Sequence, residues 1–455
     1  MRIGQSTLMT YATLLSIPSS LMIRTSFAFV SSRSASRHVA VPTTLIHLQP
    51  APHLPLCYLA ITTRTKTTTT TSTFSVTADS DNNDQDGDTL PLVQLIPPSS
   101  FAQYTLPHVP DDYIPLLPNQ RLLCIGDVHG DLSALKEFLE VAQVYDRTSQ
   151  HWTGGNAIVV QCGDVLDRGT EELACLELLA NLSRQAERQG GKLIVLYGNH
   201  EALNAIGLFQ YAYEGGNVEY EQKIGAVMNK LVGSDRWRIQ YAGNQPARWT
   251  AHEPGGILAN VLMKQMKVAV QVGKTVCVHA GLTKDHLDDF GGIAGMNQQA
   301  RKWMESSSEE FDNSASSYQT VDNIVQSADK RARESTELMP ACLGGGIGAP
   351  SPVWMRDYSM PADLPPKNHL AQQMINDVLN ALECDRMVIG HTPQRHINAA
   401  LEGKAWRIDV GASRGVASGT PEVLEIVGGE EEQVNILNKN GRIPGMERQT
   451  LPVFF

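Results

Sequence analysis

The sequence predicts an α/β protein, a β-rich core flanked by helices with a helical insert. Three observations predict it. Apolar runs with strand character alternate with amphipathic stretches through most of the chain. Three polar cassettes each directly follow such a run: Gly126-Asp127-Val128-His129-Gly130, Gly163-Asp164-Val165-Leu166-Asp167-Arg168-Gly169 and Gly198-Asn199-His200-Glu201. The chain is 42% hydrophobic and 19% charged over 455 residues, enough apolar material for a large core.

The N-terminal part reads differently. Residues 1–78 contain no Asp or Glu and carry arginines at 2, 24, 33, 37 and 64 among many Ser and Thr. Leu8 to Ile23 is apolar but broken by Pro18, too short and interrupted for a membrane span. Residues 1–78 are therefore expected to be a disordered targeting presequence, a signal peptide joined to a transit peptide-like segment. Organellar delivery is expected, with the plastid favoured and the mitochondrion or secretory pathway as alternatives. Thr67 to Thr71, the Asp-rich stretch from Asp79 and prolines at 97, 98, 107, 110, 115 and 118 lead in without a core of their own. Residues 79–118 are expected to be a disordered or extended linker, 119–430 the folded domain, and 431–455 a C-terminal tail.

Within the domain, Arg121 to Ile125 reads as a buried strand. Asp131 then caps a helix carrying Leu132, Leu135, Phe138, Leu139 and Ala142 at helical spacing. Ala157 to Cys162 is the next strand, followed by a helix from Glu171 to about Gln189 that Gly190-Gly191 closes. Lys192 to Tyr197 is the third strand, and Glu201 opens another helical stretch. Residues 205–260 read as the helical insert, and 292–350, rich in Ser, Gly and Ala, as a partly flexible loop with short helices. Thr275 to Val278, Arg386 to Ile389 and Trp406 to Val410 are further strands, the second preceded by a helix around His369 to Leu382.

Charge and cysteine usage narrow the function. A net charge of −11 gives no general attraction to nucleic acid. Seven cysteines without a Cys-x-x-Cys pair argue against a zinc ribbon or redox motif. Cys124, Cys162 and Cys277 sit inside apolar runs and read as reduced, buried thiols.

The cassettes offer oxygen and imidazole donors at strand-end turns, where open α/β sheets bind ligands. Asp127 and His129 are two apart and, in an extended segment, would point to one side. Asp164 can bridge two cations, since paired metals in hydrolytic sites lie about 3.5–4 Å apart. Asn199 and His200 are adjacent, so their side chains diverge: Asn199 suits a neutral ligand, His200 a general acid. Asp167 would hold the His200 ring, and Arg168 offers a planar fork for phosphate oxygens. His279 in Val-His-Ala-Gly and His391 in Gly-His-Thr-Pro would complete the second shell with Asp164 and Asn199. Arg356 reads equally as a second phosphate fork or as a surface partner of Asp357, and Asp409 reads as structural.

These motifs, in this order from Leu122 to Ala412, resemble the calcineurin-like metallophosphoesterases, and within them the phosphoprotein phosphatase family. The resemblance implies a metallophosphatase-type β-sandwich of mixed sheets flanked by helices. It implies two divalent ions (Mn, Fe or Zn), one on Asp127, His129 and Asp164, the other on Asp164, Asn199, His279 and His391. It makes Asp167 and His200 the acid pair and Arg168 a phosphate ligand. Leu196-Tyr197 stand where the eukaryotic serine/threonine branch has an Arg before Gly-Asn-His-Glu. Ala280 replaces a Gly, and Gly390-His391-Thr392-Pro393 replaces Arg-Ala-His. No counterpart of that branch's toxin-binding segment follows Asp409. These departures are similar to the Shewanella-like phosphatases. The implied function is hydrolysis of phosphate monoesters by a hydroxide shared between the metals, on phosphoproteins at Ser/Thr or Tyr or on a small phosphate ester. A dinucleoside polyphosphate hydrolase on the same fold, and a non-catalytic metal-binding scaffold, are the alternatives. No nucleic acid partner and no stable membrane span in the mature form are expected, and a regulatory subunit leaves no signature.

Overall fold

The computed structural model describes residues 98–233, 236–306, 332–345, 350–359 and 367–445. The expected presequence, most of the expected linker and the middle of the expected 292–350 loop lie outside the described residues. Among the described residues no helix is long and apolar enough to cross a membrane.

The strands form two six-stranded mixed sheets and a small hairpin. In the first sheet β2 (Arg121–Ile125), β5 (Ile158–Gln161) and β6 (Lys192–Val195) run parallel. β12 (Val423–Val427) joins β2 antiparallel, followed by β13 (Gln433–Asn438) and β14 (Gly441–Pro444). The second sheet has the order β1 (Tyr113–Ile114), β7 (Ala269–Val272), β8 (Thr275–Val278), β9 (Arg386–Ile389), β11 (Ala405–Arg407), β10 (Asn398–Ala400). β3 (Tyr145–Asp146) and β4 (His151–Trp152) make the hairpin.

Leu122, Leu123, Cys124 and Ile125 are fully buried, as the continuous apolar run of a strand covered on both faces requires. The sheets meet face to face at the thiols of Cys124 and Cys277, 3.7 Å apart. Helix α1 (Leu132–Val141) starts where expected, its Asp131 cap accepting the Ala134 N–H at 3.1 Å. Its Leu135, Phe138 and Leu139 are buried, each contributing about 1.5–3 kcal/mol by leaving water. Helix α2 (Glu172–Arg188) packs on β6. Then comes α3 (Asn199–Ala205), the helical stretch expected near Glu201, followed by the short helices α4 (Glu214–Tyr220), α5 (Ala226–Val232), α6 (Pro246–His252) and α7 (Ile257–Val261) in the region read as a helical insert. α9 (Gly292–Glu305) packs on β7 of the second sheet, α8 (Lys284–Phe290) packs on α9, and the helix Lys367–Leu382 packs on α8.

Four expectations need correction. The stretch from 431 is not wholly a tail, because β13 and β14 extend the first sheet to Pro444. The lead-in before 119 is packed rather than merely extended: a 3-10 helix spans Pro98–Tyr104, Phe101 and Tyr104 are buried, and β1 pairs with β7. The region from 292 opens as a 14-residue helix, α9, burying Ile293, Met296, Ala300 and Trp303 at helical spacing. Finally, the strand placed over Trp406 to Val410 ends at Arg407, which leaves Asp409 in the turn beyond it.

Candidate metal centre

The carboxyl ends of five strands converge. The turn after β2 carries Asp127 and His129, that after β5 carries Asp164, Asp167 and Arg168, and β6 leads into α3, where Asn199 and His200 occupy the first turn. His279 follows β8 and His391 follows β9, so both sheets contribute. The backbone is strained here: φ is +46° at His129, +54° at Asp164, +65° at Asp167, +61° at Arg168 and +67° at His391. Residues other than glycine incur about 1–3 kcal/mol each in such conformations and hold them only where surroundings insist. His129 is therefore not in the extended segment from which its side-chain direction was inferred.

Glu201 provides much of that insistence. Its Oε2 accepts the N–H groups of Asp164 (2.9 Å) and Gly198 (2.7 Å), and its Oε1 those of Val165 (2.9 Å) and Leu166 (3.1 Å). The Glu stood in plain view in the third cassette, but its long-range partners had no local signal.

The imidazoles are oriented by carbonyls. His279 Nδ1 lies 2.7 Å from the Cys162 carbonyl and His129 Nδ1 lies 2.9 Å from the Leu166 carbonyl. A carbonyl only accepts, so each Nδ1 is the donor and, in the neutral ring, Nε2 presents a lone pair. His279 Nε2 lies 3.2 Å from Asn199 Oδ1 and from His391 Nδ1, and 3.4 Å from Asp164 Oδ2. His129 Nε2 lies 3.8 Å from that same Asp164 oxygen. So many acceptors in a dry site favour positive charge among them: burial would lower the His279 pKa, but Asp164 raises it overall.

Donor atoms of Asp164, His279 and His391 lie within 4.8 Å of one another, as do those of His129, Asp164 and His200. Neither group contains Asp127, whose two carboxylate oxygens accept the His391 N–H at 3.2 Å each. His391 Nε2 is buried and, among the described residues, has no hydrogen-bond partner. Oxygen and imidazole donors without thiolate suit a first-row divalent ion. The residues fit such ions.

Protonation follows the same geometry. Burial lowers His129 to about 3, and burial, then the neighbouring His279, hold His391 well below the usual range, so both are neutral, the form that binds metal. Burial, then Asp409 and Asp164, push Asp127 well up. At Asp164 the neighbouring His279 and His200 override burial and hold the carboxylate well below its usual range. Burial would lower His200, but Asp164 and Asp167 outweigh it and favour the imidazolium. His200 Nδ1 donates to Asp167 Oδ2 at 2.7 Å, and Asp167 Oδ1 accepts from Asn204 Nδ2 at 3.0 Å. Beside the ring lie the Arg168 guanidinium, 3.4 Å from His200 Nε2, and the Tyr211 ring, 5.0 Å away.

Arg356 is exposed and donates to Thr392 Oγ1 at 2.7 Å, next in sequence to His391. Although the residue is exposed, partial desolvation of its guanidinium lowers its pKa, and Asp164 and Asp127 oppose that, which places the guanidinium within their field. Asp409 accepts the Gly411 N–H at 2.8 Å and is pushed up to about 6, mainly by burial. Sequence reasoning missed its closeness to Asp127, and missed Asn204, Glu172 and Arg248 around Asp167.

Comparison with known proteins agrees with this geometry. Residues 120–395 match the calcineurin-like phosphoesterase family. The chain is 34% identical over 330 residues to Shewanella-like protein phosphatase 2 of Arabidopsis thaliana, covering 68% of this chain and 75% of that protein. It is 37% identical over 93 residues to Shewanella-like protein phosphatase 1 of Plasmodium berghei, 20% of this chain and 25% of the other. The fold is that of the cold-active protein-tyrosine phosphatase of a psychrophilic Shewanella species, with a TM-score of 0.52 at 18% identity, covering 75% of this chain and 84% of that one. Strand-end ligands on two mixed sheets, the family match and the plant relative converge: this chain belongs to the calcineurin-like phosphoesterases, in the Shewanella-like protein phosphatase group.

Proposed function

We propose that the chain is a two-metal protein phosphatase whose ions (Mn, Fe or Zn) are held by Asp127, His129 and Asp164 and by Asp164, Asn199, His279 and His391. The observation that carries this reading is the convergence on His279 Nε2 of Asn199 Oδ1 and His391 Nδ1, each at 3.2 Å, and Asp164 Oδ2 at 3.4 Å. When bound, the ions supply an activated water and neutralise charge on the phosphoryl oxygens.

The remaining residues act on the substrate directly. Arg168 binds phosphoryl oxygens through its fork, and Arg356, within the field of Asp164 and Asp127, offers a second one. His200 holds a proton on Nε2 for the departing oxygen, because Asp167 occupies Nδ1 and favours the charged ring. That proton also separates His200 from the ligand set, although it lies close to His129 and Asp164. Tyr211, 42% exposed, stands against both His200 and Arg168 and offers an aromatic wall to the leaving group. Such a wall favours phosphotyrosine over phosphoserine and phosphothreonine, the substrate type named for the Shewanella protein of the same fold.

Turnover of phosphotyrosine, phosphoserine and phosphothreonine peptides and of aryl phosphates of graded leaving-group pKa tests this reading in the wild type and in His200→Asn. Wild type should prefer the phosphotyrosine peptide. His200→Asn should keep its metal and lose about 10²–10⁴-fold on the poorest leaving groups, with little loss on the best. A uniform loss across the series would remove His200 from the acid role.

A further inference from the structure

Arg248, on α6 of the insert, is 1% exposed, and its partner Glu172 is fully buried. The guanidinium grips Glu172 with two bonds, 2.5 Å to Oε1 and 2.8 Å to Oε2. Its Nε donates to Asn217 Oδ1 at 2.8 Å, and its plane lies 4.4 Å over the Tyr220 ring. The same nitrogen that meets Glu172 Oε2 donates to Asn204 Oδ1 at 2.9 Å and lies 3.4 Å from Asp167 Oδ1. A buried ion pair is a poor way to stabilise a fold, since apolar side chains of similar volume often do as well or better.

What this pair does is hold Asp167. Glu172 Oε2 accepts the Asp167 N–H at 3.0 Å, and Asn204 donates to Asp167 Oδ1 at 3.0 Å. Arg248 thus fixes both residues that fix Asp167, one at its backbone and one at its side chain. Asp167 needs that support, because its φ of +65° is a conformation it would not hold alone. Its other oxygen meets His200 Nδ1, so any drift of Asp167 turns the imidazole and re-aims Nε2.

We infer that Arg248 is a positioning residue for the His200–Asp167 pair, through which the helical insert sets the aim of the proton donor. This rests on the acid role of His200 argued above. Arg248→Lys keeps the charge but loses the fork. It should lower kcat about ten- to a hundredfold on phosphoserine peptide, with a much smaller loss on p-nitrophenyl phosphate and unchanged KM and metal content. In a His200→Asn background the same substitution should have no further effect on kcat, because there is no acid left to aim. In the metal-free full chain, the proton shared by His200 Nδ1 and Asp167 should be protected from exchange in wild type and exchange rapidly in Arg248→Lys by NMR. If Arg248→Lys fails to fold, Arg248→Met/Glu172→Gln removes both buried charges and strands neither. Equal losses on both substrates, additive effects with His200→Asn, or an unchanged Nδ1 proton would overturn the inference. A His200→Asn enzyme with no leaving-group dependence would instead refute the acid role and take the positioning role with it.

Discussion

At the scale of single residues, the least conspicuous side chain of the site bears the most backbone. Glu201 gathers the N–H groups of Asp164, Val165, Leu166 and Gly198 onto two buried oxygens. Glu201→Gln preserves the volume but turns an NH2 group toward N–H donors. About 1–3 kcal/mol is expected for each donor left unsatisfied. The variant should therefore unfold at lower urea and retain less metal, and an unchanged midpoint with full metal content would show that the loop holds itself. The residues proposed as ligands and as acid pair stood out because each lies within a residue or three of an apolar run. The conformation was not: Asp127 and His129 were placed on one side by assuming extension, yet His129 has a φ of +46° and Asp127 faces His391. Partners such as Arg248 and Asp167, 81 positions apart, leave no mark in a local pattern.

At the scale of elements, strands with unbroken apolar runs were readable to their ends. β2, β8 and β9 begin and end where composition placed them, and Asp131 caps α1. β13 and β14 were not, because most of their positions are exposed or half-buried at a sheet edge and resemble a polar tail. The elements meet within very little space. Gly390, at the turn leaving β9, lies so close to Asp127 that an added methyl would press on its carboxylate Oδ1, while no positive φ requires glycine there. Gly390→Ala thus tests crowding alone. It should displace Asp127 and weaken metal binding, with an overpacking loss of about 1–3 kcal/mol in stability. Metal titration together with denaturant unfolding checks this; wild-type affinity would mean that the Asp127 turn yields without consequence.

At the scale of the whole molecule, the alternation of strands and helices disclosed α/β layering with candidate ligands at strand ends, but not how those ligands divide between two sheets. The first sheet supplies Asp127, His129, Asp164 and Asn199, the second His279 and His391. Between them the sheets share apolar contacts such as Cys124 against Cys277, and direct polar ties such as His279 Nδ1 to the Cys162 carbonyl. Ions bound by both sets of ligands would staple the sheets at their carboxyl ends. A ligand that binds only the folded state stabilises by mass action, about 2.7 kcal/mol at a hundred times its Kd. Chelation should therefore lower Tm by several degrees, and added Mn should restore it in a concentration-dependent way. Asp164→Asn removes the carboxylate common to both proposed shells, so its Tm should respond little to either treatment. His200→Asn, which touches the proposed acid and spares the proposed ligands, should respond as the wild type does. If chelator leaves the wild-type Tm unchanged while removing all metal, the two sheets do not depend on the ions for their union, and the centre is a passenger on a fold that is already complete.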